Sequence, residues 1–251
     1  MNNQVGKSVL ITGGASGIGL ETARVLKDKG WEVFLLDLKP EALASAARSI
    51  GVETERTAAC DVSNEAGVDA AVTAACARGR LAAVVNAAGI AMDRPTVETS
   101  VSDFRRIIDV NLTGTFIVSR AVARHWLKQG TPGAIVNITS VSGLCGNKGR
   151  SAYGASKGGQ NLLTMVMANE LGAGGIRVNA IAPGPIDTPL ATAIHTEDVR
   201  QKWIERVPQR RYGTPAEIAN TVAFLISDEA SYVNGQILAV DGGFINAGLA
   251  S

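Results

Sequence analysis

Tyr153 and Lys157 stand four residues apart within Ser151-Ala152-Tyr153-Gly154-Ala155-Ser156-Lys157, where a long helical pattern begins. Side chains at that spacing share one face of a helix. A phenol with an ordinary pKa near ~10 is a poor proton carrier at neutral pH, but a neighbouring ammonium stabilises the phenolate and brings the value down. The pair is a usable acid/base if Tyr153 faces a reacting oxygen with Lys157 beside it; elsewhere the same spacing is an ordinary helix surface pair. Ser140 lies thirteen residues before Tyr153, across the glycine-bearing loop Val141 to Arg150, and its hydroxyl could hydrogen-bond the same substrate oxygen. No histidine base lies nearby in sequence and no nucleophile-elbow pattern surrounds Ser140, which argues against a serine hydrolase.

The elements that must position these groups alternate between short apolar runs and helical patterns, the signature of a parallel sheet with crossover helices. Strands are predicted at Ser8–Ile11, Trp31–Leu36, Thr57–Cys60, Leu81–Val85, Gly133–Ile138, Ile176–Ile181 and Gln236–Val240. Helices are predicted at Leu20–Lys29, Pro40–Ile50, Val101–Trp126 and Tyr153–Leu171, with Ser63 as a plausible N-cap for the one after the third strand. Asn111 interrupts the long pattern, either as a tolerated surface residue or as an amide turned inward towards the site. Thr214-Pro215-Ala216-Glu217 is a capping box with proline at the first helical position, opening a helix to Ile226. Between them, Leu190 to Val207 reads as a lid helix over an apolar pocket, or as a subunit contact, with Val199, Trp203, Ile204 and Val207 on one face.

Ligand-facing features fall at strand ends. Thr12-Gly13-Gly14-Ala15-Ser16-Gly17-Ile18-Gly19 links the first strand to the first helix. There, glycines permit a sharp bend and the close approach of a pyrophosphate to a helix N-terminus. The second strand ends at Asp37, 18 positions beyond Gly19. A ribose-binding carboxylate belongs at that distance; it would accept from the adenosine 2′-hydroxyl and repel a 2′-phosphate. Ser16 brings no compensating cation, so NAD is favoured over NADP, although Lys39 lies close by. Asp61 with Val62 either caps a turn or receives an adenine, and Asn86-Ala87-Ala88-Gly89 is small enough for a flat ligand to lie on its backbone. Pro183-Gly184-Pro185-Ile186-Asp187-Thr188-Pro189 is a rigid loop, in which Thr188 either donates to a carboxamide or caps the next turn.

Composition narrows the class. The 251 residues, 46% of them hydrophobic, are ample for a substantial core, and a single domain over 1–251 with a lid at about 188–211 is expected. Lys and Arg number 24 against 23 Asp and Glu, without basic blocks, which argues against nucleic acid and anionic membranes as partners. The polar stretch Met1 to Lys7 passes directly into a strand and no apolar run reaches membrane-spanning length, so a cytoplasmic protein is expected. Cys60, Cys76 and Cys145 lack metal-ligand spacing, as do the histidines His125 and His195; no metal is expected.

Taken in register, these pieces resemble the short-chain dehydrogenase/reductase family over essentially the whole chain. The match rests on the Thr12–Gly19 turn, Asp61-Val62, Asn86-Ala87-Ala88-Gly89, Asn111, Ser140, Tyr153-x3-Lys157, the 183–188 loop and Val240-Asp241-Gly242-Gly243. The resemblance implies a three-layer, doubly wound Rossmann fold with a seven-stranded parallel sheet, a nicotinamide cofactor, a catalytic set of Asn111, Ser140, Tyr153 and Lys157, and a homotetramer. Cofactor contacts are then expected from Gly13, Ser16, Gly17, Ile18, Gly19, Asp37, Asp61, Val62, Asn86, Ala87, Gly89, Pro183, Gly184, Ile186 and Thr188, besides Tyr153 and Lys157. In that scheme Lys157 lowers the Tyr153 pKa and binds the nicotinamide ribose, while Asn111 anchors a water. Met92, Leu144, Cys145, Asn147, Pro185 and Leu190 are candidate pocket residues, mostly apolar, suggesting a neutral, hydrophobic secondary alcohol or ketone; Lys148 and Arg150 are read as solvated or, alternatively, as serving an acidic substrate. The competing readings are an NADPH-dependent 3-oxoacyl-carrier-protein reductase and a noncatalytic dinucleotide sensor.

Overall fold

The computed structural model describes residues 6–248. Met1–Val5, on which most of the N-terminal reading rests, lie outside them. Seven strands form one parallel sheet: β1 Lys7–Thr12, β2 Glu32–Asp37, β3 Thr57–Ala59, β4 Arg80–Asn86, β5 Gly133–Ile138, β6 Ile176–Pro183 and β7 Ile237–Val240, in the order β3-β2-β1-β4-β5-β6-β7. Helices α1 Gly17–Asp28, α2 Pro40–Ile50, α3 Glu65–Cys76, α4 Val101–Ile108, α5 Gly114–Gln129, α6 Ser151–Leu171, α7 Pro189–Ile194, α8 Glu197–Arg206 and α9 Pro215–Ile226 connect them.

Alternation along the strands builds two cores. Val9, Ile11, Val33 and Leu35 face Leu26 of α1, Leu43 of α2 and Ile218 and Val222 of α9. Leu10, Phe34 and Leu36 face Val68 of α3, Val118 and Trp126 of α5 and Met167 of α6. A sheet buried on both faces needs apolar residues at nearly every position, which is why these strands read as runs. Each fully buried Leu or Phe contributes about 1.5–3 kcal/mol relative to exposure. Trp126 adds a polar tie, its indole N–H donating to the Leu81 carbonyl at 2.6 Å.

Three elements depart from the sequence reading. The segment Leu190–Val207, read as one lid helix, is two, α7 and α8, parted at His195 and Thr196. The long helix expected over 101–126 is broken by a wide π turn at Asp109–Thr113 and runs on to Gln129, where Gly130 adopts φ +62°. Such a turn, inserted in a helix, redirects a side chain, and the one redirected is Asn111. The N-cap of α3 is Asn64 rather than Ser63: Asn64 Oδ1 accepts from Gly67 N–H at 3.1 Å, while Ser63 bonds Asp61. The capping box at Thr214 and Glu217 has both its hydrogen bonds. Among the described residues no helix is long and apolar enough to cross a membrane.

The order of the strands reverses between β1 and β4. Loops leaving those neighbours diverge in opposite directions and open a crevice at the C-terminal edge of the sheet.

Candidate active site

A cleft of about 980 Å³ occupies that edge. Its floor is the junction of two loops. Thr12 Oγ1 accepts from the backbone N–H groups of Ala87 and Ala88, each at 3.1 Å, locking the 86–89 loop to the end of β1. Gly13 has φ +64°, and a Cβ there would stand 2.8 Å from Ala88 N; a Cβ on Gly19 would stand 2.2 Å from the Gly13 carbonyl oxygen. The turn is therefore as tight as heavy-atom contact allows. Ser16, the N-cap of α1, makes no side-chain cap. Consequently the first-turn amides of α1, beside which Ser16, Gly17, Ile18 and Gly19 line the cleft, are left for an anion. These glycine-shaped contacts and the unclaimed amides fit a pyrophosphate.

Asp37, Asp61 and Val62 line the same end. Asp37 Oδ2 accepts from Ala15 N–H at 3.0 Å and Oδ1 from Leu38 N–H at 2.8 Å, which fixes the carboxylate beside the glycine turn. Asp61 Oδ1 accepts from both the backbone and the hydroxyl of Ser63, so it does cap its own turn, yet it still borders the cleft. Ala87, Gly89, Pro183, Gly184, Ile186 and Thr188 complete the wall. Thr188 takes the capping role, its hydroxyl accepting from Ala191 N–H at 3.2 Å at the start of α7.

Ser140, Tyr153 and Lys157 converge at the other end of the cleft. Ser140 lies two residues past β5; its hydroxyl accepts from Ser142 N–H at 3.1 Å and stands near enough to the Tyr153 phenol to favour the phenolate. Lys157 is buried under the sheet edge, with Nζ donating to the Ile138 carbonyl at 2.9 Å and lying 5.6 Å from the Tyr153 ring centroid. The expected lowering of the Tyr153 pKa by Lys157 is not what this arrangement produces. Burial pushes the phenol above its ordinary value, opposed by the charge of Arg150 and the Ser140 hydrogen bond and reinforced by Asp93. Burial likewise pushes Lys157 down to about 7. In each case the charged form loses its hydration on burial.

Asn86 and Asn111 do not line the cleft. Asn86 is turned inward, donating to Ser119 Oγ and Asn137 Oδ1, both at 2.8 Å, in a buried network between β4, β5 and α5. Asn111 grips the backbone of Ile90 from both sides, accepting from its N–H and donating to its carbonyl at 2.9 Å, and also donates to Ser156 Oγ at 3.0 Å. It is the inward-turned amide of the two alternatives, holding the loop against α6.

Of the candidate pocket residues, Pro185 and Leu190 line the cleft. Leu144, Cys145 and Asn147 line a second cavity instead, and Met92 lines neither. The cause is a tight turn at Val141–Gly143: a Cβ on Gly143 would stand 2.6 Å from the Lys157 carbonyl carbon, so the chain is pinned to α6 there and its continuation is carried to the far side. Arg150 is not solvated; its side chain is 10% exposed and ion-paired with Asp93. Sequence reasoning misses the cleft role of His195; Trp203 lies on the helix face read as covering an apolar pocket, and Arg150 has the alternative reading of serving an acidic substrate. A histidine in the segment already read as a lid was the one available signal.

The fold and this cleft define a dinucleotide-dependent oxidoreductase, and comparison with known proteins agrees. Residues 13–245 match the family model described as Enoyl-(Acyl carrier protein) reductase. The chain is 42% identical to cis-4-hydroxycyclohexanecarboxylate dehydrogenase of Sinomonas cyclohexanicum, covering 94% of this chain and 95% of that one. It is 38% identical to a 3-oxoacyl-[acyl-carrier-protein] reductase of Thermotoga maritima, covering 96% and 98%. The crystal structure of levodione reductase superposes with a TM-score of 0.91 at 37% identity, over 97% of this chain and 99% of that one. The chain belongs to the short-chain dehydrogenase/reductase family. It is an oxidoreductase of that type, with a fold that binds a nicotinamide dinucleotide.

Proposed function

We propose that the protein is an NAD-dependent oxidoreductase that interconverts a secondary alcohol and its ketone, with Tyr153 as the acid/base. The observation that carries this reading is the division of one cleft, with the Asp37 carboxylate at one end and Ser140, Tyr153 and Lys157 at the other. When bound, the nicotinamide accepts or returns the hydride. Asp37 accepts hydrogen bonds from the adenosine ribose, and its charge disfavours a phosphate on the 2′ oxygen. The α1 amides hold the pyrophosphate, and Lys157 donates to the nicotinamide ribose. Ser140 donates to the substrate oxygen, and Tyr153 takes the alcohol proton in oxidation or supplies it in reduction. Asn111 braces the Ile90 backbone, and the remaining lone pair of its Oδ1 can hold the water that links Lys157 to solvent.

A second reading, NADPH-dependent reduction of a 3-oxoacyl carrier protein, draws on Lys39, which lines the cleft beside Asp37, and on the similar Thermotoga maritima enzyme. Self-association as a homotetramer is supported by exposed apolar side chains on neighbouring helices, Phe116 of α5 with Leu162, Met165 and Val166 of α6. The test is reduced-cofactor formation at mildly alkaline pH over a panel of cyclic, aryl and hydroxy-acid secondary alcohols, with NAD⁺ and NADP⁺ in parallel. Turnover with NAD⁺ is expected; turnover with NADP⁺ alone would favour the second reading.

A further inference from the structure

Around the Ser140–Tyr153 pair, Leu190, Ile194 and Trp203 bring hydrocarbon to the cleft, and among them stand two polar side chains, Arg150 and His195. These belong to a chain of contacts that crosses from α6 to the lid. The Arg150 guanidinium lies 5.2 Å from the Tyr153 ring centroid and pairs through Nε with Asp93. Its Nη2 is 3.1 Å from His195 Nε2, and His195 Nδ1 is 3.0 Å from the Tyr212 hydroxyl. A guanidinium has no acceptor, so Nη2 donates and Nε2 accepts; the imidazole is neutral, with its proton on Nδ1. Burial, helped by the charge of Arg150, pushes His195 below its ordinary value, in keeping with that assignment.

Two features of this wall specify a ligand. The described hydrogen bonds use Nη2 of Arg150 and its ion pair uses Nε, leaving Nη1 without a partner on a side chain that borders the reacting end of the cleft. The guanidinium is itself already matched: Asp93 pairs with Arg150, just as Asp187 pairs with Arg200 of the lid at 2.6 Å. A carboxylate placed against Arg150 would meet a guanidinium already neutralised, with Asp93 close by. An uncharged acceptor oxygen meets a fixed donor and no opposing charge.

We propose that Arg150, held in place by Asp93 and His195, donates a hydrogen bond to a second, uncharged oxygen of the substrate. The substrate class is then a compact apolar carbon frame bearing two oxygens, a diketone, hydroxyketone or diol, with one oxygen at Tyr153 and the other at Arg150. This inference rests on the oxidoreductase reading above and makes Arg150 the specificity-determining residue of that site.

The test is a comparison of kcat/KM for cyclohexanone, cyclohexane-1,4-dione and 4-oxocyclohexanecarboxylate, using wild type, Arg150→Met and Arg150→Gln with whichever reduced nicotinamide the wild type accepts. Comparing the dione-to-cyclohexanone ratio between variant and wild type cancels the intrinsic reactivity of each ketone. It also cancels any change at Tyr153 caused by removing a neighbouring cation, since that acts on both substrates. The ratio is expected to fall by at least about fivefold in Arg150→Met, chiefly through KM. Arg150→Gln, which keeps a neutral donor, should lie between, and serves alone if the Met variant fails to fold. A smaller fall would overturn the inference, as would a wild type that prefers the carboxylate to the dione. Turnover of cyclohexanone without preference for the dione overturns this inference alone. No turnover of any ketone with either nicotinamide overturns the oxidoreductase reading and this inference with it.

Discussion

The two ends of the cleft are built in opposite ways. At the end formed by the glycine turn the cleft presents backbone amides and the carboxylates of Asp37 and Asp61, all within the first 62 residues except for loops at neighbouring strand ends. Shape there is imposed by contacts that tolerate no side chain, such as the 2.2 Å between a Cβ on Gly19 and the Gly13 carbonyl. At the other end the wall is made of side chains: Arg150 just before α6, Leu190 and Ile194 of α7, His195 just after it, and Trp203 of α8. His195 and Trp203 are stacked with ring centroids 6.1 Å apart, and Trp203 lies against Phe244 at 4.9 Å. A site made of backbone admits one ligand geometry, whereas a site made of side chains can be rewritten without disturbing the sheet. This difference explains how relatives acting on substrates as different as a cyclohexane acid and an acyl carrier protein share the fold.

The largest effect is expected where the two ends meet. Tyr153→Phe should keep NAD affinity within about threefold and lower turnover by roughly a thousandfold, within the usual range for loss of a general acid/base. Steady-state rates beside calorimetric NAD titration check this, and near-normal turnover would remove Tyr153 from its assigned role. Next comes the backbone itself. Gly19→Ala forces a methyl onto the Gly13 carbonyl, so the turn must open; a stability loss of about 1–3 kcal/mol is expected in urea unfolding, with weakened NAD binding. Full stability and unchanged affinity would show the turn to be less rigid than these distances imply.

What the sequence disclosed follows the same division. Glycines at Gly13, Gly17 and Gly19 and the carboxylate 18 residues on are local in the chain, so spacing alone locates them. The pairing of Tyr153 with Lys157 is likewise local, a single helix turn. Charge balance was not legible: that both groups would be driven towards neutrality depends on how deeply α6 packs beneath β5, as the Lys157 contact with the Ile138 carbonyl displays. Nor could spacing reveal that Gly143 is clamped on α6, sending Leu144, Cys145 and Asn147 away from the cleft. Asn86 sits beside a ligand-facing loop in sequence, and the pleat of β4 turns it into the core. Arg150, His195 and Tyr212 meet although they lie in three distant segments of the chain, and such a contact leaves no periodic trace.

Two smaller effects sharpen the comparison. Asp37→Ala should shift the ratio of kcat/KM for NAD over NADP by about tenfold towards NADP, worth ~1.4 kcal/mol, and an unchanged ratio would take Asp37 out of cofactor choice. Lys157 gives a pH signature. Its pKa is about 7 folded against an ordinary 10.5, so between those values the unfolded chain binds a proton that the folded chain does not. Stability contributed at this residue therefore rises with pH through that window. The difference in unfolding free energy between wild type and Lys157→Met should grow in favour of wild type by about 1 kcal/mol from pH 7.5 to 8.5. A flat difference in urea midpoints would mean that Lys157 keeps its ordinary pKa.

The central claim, that this cleft moves a hydride between a secondary alcohol and NAD, is tested most directly with alcohols carrying deuterium on the carbinol carbon. Wild-type protein, NAD⁺ and a panel of such alcohols are incubated together and the dinucleotide is examined by mass spectrometry. Deuterium in NADH, with little or none in NADPH from a parallel NADP⁺ reaction, is the result predicted. Dinucleotide that binds yet returns unlabelled across the panel would contradict it.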